Sequence, residues 1–525
     1  MIPVLTADEM RRADRHAISE AGIPGTVLME NAGAAVARFL AERHPHASRI
    51  AVLCGRGMNG GDGFVITRQL KERSEAFLLG RRDDVTGDAR HHLLECEKGG
   101  GRVSEVGTPE AWPAALARIS GADLIVDAIL GTGLRSAPHG LAASAIAAMR
   151  ARLAAGVPVV AVDLPSGIPS DSGELDWPVA GATATVTFAA PKRGHLLPPA
   201  CETIGELVVA DIGIPAASLA SVEPTLFLIE DGDAALAFPR RARSAHKGDF
   251  GHVLVIAGSI GKTGAAVLAA GAALRSGCGL VTVATPEPCL AVVAAARAEI
   301  MTEPLPVSRG GGLDPAGLTN LIALARERDA VVLGPGLGQE EGTRELVRRF
   351  ARDCPVPLVV DADGLNALAA LGAEGRELLR GRGAATILTP HPGEMARLVE
   401  RPTAELQRDR VGAALALARE TGAVVVLKGE RTVVAEPEGR AAICPTGNPG
   451  MATGGTGDVL AGVAGSLLAR HGPLLAATAA PYVHGRAGDL VARRIGEEGL
   501  VAGDLVEALP AAIESVRGGA PSASS

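Results

Sequence analysis

Two glycine–aspartate loops stand far apart on this chain, Asn59-Gly60-Gly61-Asp62-Gly63 and Gly454-Gly455-Thr456-Gly457-Asp458. Glycines let backbone N–H groups approach an anion closely, and a helix N-terminus adds partial positive charge. The aspartate adds what a phosphate cradle lacks, a carboxylate able to orient a hydroxyl or accept its proton. The first loop has neither the G-x-G-x-x-G spacing of a dinucleotide fold nor the Lys-Ser/Thr of a Walker loop. Taken alone, it is equally compatible with a tight turn, and Asp458 with a simple N-cap. Further polar residues at strand ends change the balance. Asp127 precedes Gly131-Thr132-Gly133-Leu134, and Asp163 precedes Pro165-Ser166-Gly167. In a parallel sheet Asp127, Asp163 and Ser166 converge on the first loop, where buried carboxylates require a cation or a polar substrate. In the second half, Gly334-Pro335-Gly336-Leu337-Gly338 is a backbone-exposing turn, and Thr389-Pro390-His391-Pro392-Gly393-Glu394 follows a strand and starts a helix. Consecutive N–H groups at Gly454-Gly455-Thr456-Gly457 can stabilise charge on a transferring phosphoryl group, with Asp458 taking the proton of the acceptor hydroxyl.

These residues depend on the elements that carry them. Thr6-Ala7-Asp8-Glu9 is a capping box that predicts a helix start at Thr6. A second helix is expected over 26–43. Short apolar runs at 49–54, 75–79, 123–129, 157–164 and 184–189 then alternate with helical stretches, and a helix is expected from Phe64. Continuous apolar runs of this kind indicate a parallel sheet covered on both faces, whose ligands bind at the carboxyl ends of strands. A second series follows at 252–257, 279–284, 330–333, 357–361, 386–388 and 423–427, with helices including 264–276 and 457–470. Lys428-Gly429-Glu430-Arg431-Thr432 joins two apparent strands as a hairpin suited to a nucleotide. The pattern loosens over 212–245, which places a boundary near residue 225, to within about ten residues. The expected layout is α/β throughout, in two domains (1–222 and 223–517), with a disordered tail over 518–525.

A chain of 525 residues exceeds one ordinary core, which supports two domains. Hydrophobic residues make up 47% and charged residues 21%, within the globular range. A net charge of −8 and only 2% aromatics argue against a nucleic-acid partner. The seven cysteines (Cys54, Cys96, Cys201, Cys278, Cys289, Cys354, Cys444) are scattered and odd in number, as expected of reduced thiols in a cytoplasm. The N-terminus lacks a basic stretch followed by an apolar core, and no segment reads as membrane-spanning, so a cytoplasmic location is expected.

The loop Asn59-Gly60-Gly61-Asp62-Gly63, the run Asp127–Leu134 and Val162-Asp163-Leu164-Pro165-Ser166-Gly167 together resemble the N-terminal domain of the NAD(P)HX epimerases, over residues 5–215. The resemblance implies a Rossmann-like domain that epimerises the hydrated, damaged forms of NADH and NADPH. It implies substrate contacts at Met58, Asn59, Gly60, Gly61 and Asp62, at Gly131, Thr132, Gly133, Leu134, Arg135, Ser136 and Ala137, and at Asp163. The family commonly has Asn where this chain has Met58, which leaves a backbone contact there. Asn59, Asp127 and Ser166 would hold a potassium ion. Asp163 is the expected proton-handling group, and Lys192 either assists it or is a surface lysine.

The second half, over 230–515, resembles the NAD(P)HX dehydratases of the ribokinase-like superfamily. The resemblance rests on K-G-D-F-G-H-V-L-V-I-A-G-S from Lys247, the G-P-G-L-G turn, D-A-D-G-L-N from Asp361, H-P-G-E and G-G-T-G-D. It implies that Lys428, Gly429, Glu430, Arg431, Thr432 and Gly457 hold the nucleotide with Mg²⁺, and that Ala265, Gly336, His391 and Asp458 contact the hydrate, with Asp458 catalytic. Bacterial members use ADP and eukaryotic ones ATP, and the fused layout resembles the bacterial one. The reading is a bifunctional repair enzyme acting on NADHX and NADPHX, expected to form a homo-oligomer. The alternative is a small-molecule kinase for a vitamin alcohol, carrying a non-catalytic N-terminal binding module.

Overall fold

A computed structural model describes residues 1–134 and 136–519. The chain divides into two compact units, 2–224 and 225 onward. In the first, seven strands form one sheet: β1 (Ile50–Cys54), β2 (Ser74–Leu78), β3 (Val103–Glu105), β4 (Leu124–Ala128), β5 (Val159–Val162), β6 (Ala184–Phe188) and β7 (Glu206–Ala210). Their order is β3-β2-β1-β4-β5-β6-β7, and every pairing is parallel. The central strands are apolar along their whole length because both faces are covered, as in other parallel sheets. The order reverses between β1 and β4, so the loops after these two strands diverge and leave a crevice at their carboxyl ends. β3 and β7 escaped the sequence reading. Both are edge strands with half-exposed residues, so neither presents a continuous apolar run.

The second unit follows the same logic at larger scale. Its strands are β8 (Leu226–Leu228), β9 (His252–Ile256), β10 (Leu280–Pro286), β11 (Met301–Leu305), β12 (Ala330–Leu333), β13 (Leu358–Val360), β14 (Thr386–Leu388), β15 (Val424–Leu427), β16 (Val433–Ala435) and β17 (Ala441–Ile443). They lie in the order β8-β17-β16-β15-β14-β13-β12-β9-β10-β11. Pairing is parallel from β11 through to β15, and antiparallel in β15-β16-β17. The switch point falls between β9 and β12. There the Gly258 N–H donates to the Pro335 carbonyl, tying the two diverging loops together (2.8 Å). The alanine-rich helix Thr263–Arg275 and the glycine-containing helix Thr456–Leu468 pack closely on this sheet, their alanines largely buried.

Two local expectations change. The helix expected from Phe64 spans Met58–Gln69, so the first glycine–aspartate loop is itself the opening of the helix. Its glycines allow this, because a Cβ on Gly60 would strike the Gly55 carbonyl oxygen and one on Gly63 would lie 2.6 Å from Cys54 Sγ. At the other end, a helix covers Ala502–Gly519 and includes the first two residues of the expected tail. The rest of that tail, 520–525, lies outside the described residues. Thr6 caps the helix Ala7–Ser19 through the expected reciprocal box with Glu9. Among the described residues no helix is long and apolar enough to cross a membrane.

The glycine contacts are directly testable. A Cβ on Gly33, in the helix Gly25–Arg43, would sit 2.5 Å from Val65 Cβ and 2.8 Å from the Asp62 carbonyl oxygen. Gly33→Ala should therefore destabilise the first unit by about 1–3 kcal/mol through overpacking. Gly57→Ala, with nothing within 4 Å of the added carbon, should change stability by less than about 0.5 kcal/mol. Calorimetric unfolding of the two variants checks the contrast.

Candidate functional sites at two strand switch points

In the first unit a cavity of about 900 Å³ opens at the β1/β4 switch point. Met58, Asn59, Asp62, Gly131, Thr132, Gly133, Leu134, Ser136, Ala137, Asp163 and Lys192 all line it. Gly60 and Gly61 do not. They are buried beneath its wall, where they let the helix approach the Gly55 carbonyl and Met29. Arg135 lies outside the described residues.

Asp163 ends β5 with a left-handed backbone, φ 64°, a conformation that costs a non-glycine residue of order 1–3 kcal/mol unless its surroundings hold it. Its surroundings do so. The Asp163 N–H donates to the Val186 carbonyl (2.8 Å), and Asp163 Oδ1 accepts from Lys192 Nζ (2.7 Å) and Thr187 Oγ1 (2.9 Å). His195 completes the frame. Its Nδ1 accepts from the Lys192 backbone N–H (2.9 Å), which leaves Nε2 to donate to the Asp163 carbonyl (2.7 Å). Burial holds the His195 imidazole down to about 4, so it is a neutral strut. Lys192 is only 2% exposed, which removes the surface-lysine alternative. Burial pushes the Asp163 carboxyl up, but the Lys192 ammonium and its hydrogen bond outweigh that and hold it below the ordinary carboxylate range. Asp163 is thus ionised throughout the neutral range, and its Oδ2 faces Gly131.

Asp62 has the opposite environment. Burial, aided by the negative charge of Asp163, pushes its carboxyl well above the ordinary range. Asp127 and Ser166 lie behind the cavity wall. Asp127 is fully buried and accepts from the Ser166 N–H (2.7 Å), Ser166 Oγ (2.6 Å) and the Ile129 N–H (3.3 Å). These donors are neutral, and burial lifts Asp127 to about 6. A buried carboxylate without a cationic side chain beside it suits a bound monovalent cation. Ser166 Oγ also accepts from the Leu130 N–H (3.0 Å), and the Asn59 amide lies against Gly131. Asn59, Asp127 and Ser166 therefore meet around one short segment.

The second unit gathers its polar residues along the carboxyl ends of β12 to β15, beside the β9/β12 switch point. Lys428, just past β15, donates to Asp361 Oδ1 (2.6 Å) and stands 3.7 Å from Glu394 Oε2. Gly457 abuts this lysine: a Cβ there would lie 3.3 Å from Nζ and 3.9 Å from Asp361 Oδ2. Asp361 Oδ2 is buried without a hydrogen-bond partner, an acceptor left for a cation or a substrate donor. Asp458, in the first turn of Thr456–Leu468, is lifted to about 7 by burial and by the like charges of Asp361, Asp363 and Glu394, against the pull of Lys428.

The remaining expected residues join this network. His391 caps the helix Pro392–Val399, its Nδ1 accepting from the Gly393 N–H (3.0 Å), and its half-exposed ring reaches Glu394. Asp363 accepts from the Gly338 N–H (2.8 Å), and Ser259 Oγ donates to the Gly336 carbonyl (2.7 Å). Gly336 leaves room for Ala265, whose Cβ would be 2.8 Å from an added Cβ. Lys428, Gly429, Glu430, Arg431 and Thr432 form the turn of the β15–β16 hairpin. The buried Arg410 braces the turn through the Leu427 and Lys428 carbonyls (3.3 and 3.2 Å).

Sequence reasoning left several participants unassigned. Asp361, Asp363 and Glu394 sat inside quoted motifs but were given no role. His195 follows Pro191-Lys192-Arg193-Gly194 by one residue, and His484, which binds the Thr456 carbonyl (2.9 Å), lies on a different helix with no local signal.

Two family models match this chain: the YjeF-related protein N-terminus over residues 25–194 and the NAD(P)H-hydrate dehydratase over 253–511. The chain is 44% identical to the bifunctional NAD(P)H-hydrate repair enzyme Nnr of Moorella thermoacetica, covering 97% of this chain and 96% of that one. It is 36% identical to the enzyme of the same name from Escherichia coli, covering 96% and 92%. An ADP/ATP-dependent NAD(P)H-hydrate dehydratase from Bacillus subtilis, co-crystallized with ATP/Mg²⁺, aligns with 55% of this chain and 98% of its own, at 30% identity and a TM-score of 0.47.

The Lys192–Asp163 pair carries a measurable pH signature. Asp163 is held below its ordinary 3.8, so the pair's contribution is complete above that value and is lost as pH falls through the lower folded value. Lys192→Met should cost about 3–5 kcal/mol at neutral pH by stranding a buried carboxylate. Denaturation across the acid range should show this deficit shrinking as Asp163 protonates.

Proposed function

This chain belongs to the bifunctional NAD(P)H-hydrate repair enzymes, and on that footing we propose how its two sites divide the work. The first unit epimerises R- and S-NAD(P)HX, and the second dehydrates the S form to NAD(P)H at the expense of ADP. The observation that carries the division of labour is the contrast between the two aspartates. Asp163 is locked in its ionised form by Lys192, whereas Asp458 is poised near neutrality among other carboxylates.

For dehydration, hydroxide is a poor leaving group, so the hydroxyl must first become a phosphate ester. Asp458 takes the hydroxyl proton as the oxygen attacks the terminal phosphoryl of the nucleotide. The N–H groups opening the helix Thr456–Leu468 stabilise the charge on that phosphoryl. The ring nitrogen's lone pair then expels the phosphate, and loss of a proton from the neighbouring carbon restores the dihydronicotinamide. Lys428, Gly429, Glu430, Arg431, Thr432 and Gly457 hold the nucleotide, while Ala265, Gly336 and His391 position the hydrate. Mg²⁺ bound to the phosphates would neutralise their charge, with the unpartnered Asp361 Oδ2 available to it or to its waters.

For epimerisation, Asp163 is the proton-handling group, and the cavity loops 58–62 and 131–137 hold the ring. Potassium held by Asn59, Asp127 and Ser166 would supply the charge that the buried Asp127 lacks and would fix the 130–131 backbone. The active form is a cytoplasmic homo-oligomer.

Incubating the protein with hydrated NADH and ADP tests the reading. Recovery of dihydronicotinamide absorbance supports repair, whereas accumulation of a stable phosphorylated product would show a small-molecule kinase. Asp163→Ala should abolish use of the R-hydrate and spare the S-hydrate. Asp458→Asn should abolish dehydration while nucleotide still binds. Because the base must be deprotonated, kcat/KM for dehydration should fall below about pH 7 in the parent enzyme. Retained turnover in Asp458→Asn would sink the base assignment.

A further inference from the structure

One ionisable group in the epimerase cavity has no role in the mechanism above. Asp14 projects from the helix Ala7–Ser19 and lines the same cavity as Asp163, Asp62 and Lys192. It arrives from a different element than Asp163, which stands at the end of β5. No motif marks it: within Met10-Arg11-Arg12-Ala13-Asp14 it reads as one more polar position on an amphipathic helix. The fold brings it to the cavity by burying Met10, Ala13 and Ala17, which turns that side of the helix inward. We propose that Asp14 is a second proton-transferring residue of the epimerase site, acting as the acid to Asp163's base. This rests on the epimerase reading of the first unit.

The chemistry calls for two such groups. Inverting the hydrated carbon exchanges the face on which its oxygen sits. Asp14 gives its proton to the departing hydroxyl, the C–O bond breaks, and the ring nitrogen's lone pair forms a C=N bond as water leaves. A second water attacks the resulting cation from the opposite face, its oxygen forms the new C–O bond, and its proton passes to Asp163. The electron pair of the C=N bond returns to nitrogen. One water leaves and one adds, Asp14 ends ionised and Asp163 protonated, and proton exchange with solvent resets both. The adjacent ring carbon keeps its hydrogen throughout, which separates epimerisation from dehydration.

The environment of Asp14 suits this role. Burial raises its carboxyl to about 6; Lys192 pulls it down, Asp163 pushes it up and Arg15 pulls it down again. The charge of Asp14 in turn raises Asp62. Asp62, held well above the ordinary range by burial and by the charges of Asp163 and Asp14, keeps its proton. Asp14 exchanges its proton near neutrality, as an acid that must be reset at every turnover requires.

The test uses the full-length protein with purified R-hydrate. The parent must first be shown to epimerise; if it does not, the epimerase reading itself fails. Asp14→Asn keeps the shape of the side chain and removes a charge from an acidic cavity, so the fold should hold; an unshifted unfolding profile reports that it does, and undiminished ADP-dependent turnover of the S-hydrate shows that the effect is confined to the first unit. The expected result is a fall in epimerisation kcat of about 100-fold or more with KM little changed. The limb of the kcat/KM profile near pH 6 should disappear with it, and Asp14→Glu should restore part of the rate. An unchanged kcat in Asp14→Asn would overturn the proposal, as would a defect confined to KM with the pH profile intact.

Discussion

A carboxylate removed from water must find a positive partner or keep its proton, and that constraint organises both halves of this enzyme. Each unit sets one buried lysine against one strand-end aspartate, Lys192 on Asp163 and Lys428 on Asp361. The attraction between such charges roughly offsets their desolvation, so the pairs contribute placement more than net stability. What they achieve chemically is to divide the remaining carboxylates. Asp163, beside its ammonium, stays charged; carboxylates one step removed feel burial and like-charge repulsion and hold their protons to higher pH. Asp163 and Asp62 differ in this way in the first unit, and Asp458 departs from its ordinary range for the same reason in the second.

The shared topology explains why the same solution appears twice. Both sheets carry a switch point where strand order reverses and two loops diverge; in the first unit they leave an open cavity, and in the second a hydrogen bond from Gly258 to Pro335 ties them together. Side chains at strand ends reach each site from several directions, so acid, base and phosphate-binding groups can be drawn from distant parts of the sequence. The second unit adds the antiparallel hairpin β15–β16, whose turn sets Lys428 beside Asp361 and Glu394. The first needs no such addition because no phosphoryl group moves there.

Much of this was legible in the residues. The capping box at Thr6 and the apolar runs of the central strands each reflect a local rule that tertiary structure did not override. Edge strands such as Val103–Glu105 were not legible, because half-exposed residues carry no continuous apolar signal. The start of the helix at Met58 was hidden for another reason: glycines argue against a helix on propensity alone, whereas here close packing against the Gly55 carbonyl requires them. Asp14, His195 and His484 carried no signal in the sequence, since only the folded chain puts Asp14 in the cavity of Asp163, His195 against the Asp163 carbonyl and His484 against the Thr456 carbonyl. Lys192 was ambiguous until its burial was known.

The glycines that open the helix Met58–Gln69 also limit how this enzyme can change. Gly60 is pressed on the Gly55 carbonyl, Gly63 on Cys54 and Ala128 of the sheet, and Gly61 on Met29 and the Ala89 backbone of two neighbouring helices, so a side chain at any of them forces a neighbour to shift. Three of the five residues in the loop are thereby closed to evolutionary drift by the packing behind them, whatever ligand lies in front. Gly133, across the cavity, has open space around it. A different nucleotide tail would find room at Gly133, while the Asn59–Gly63 wall is held by the packing behind it.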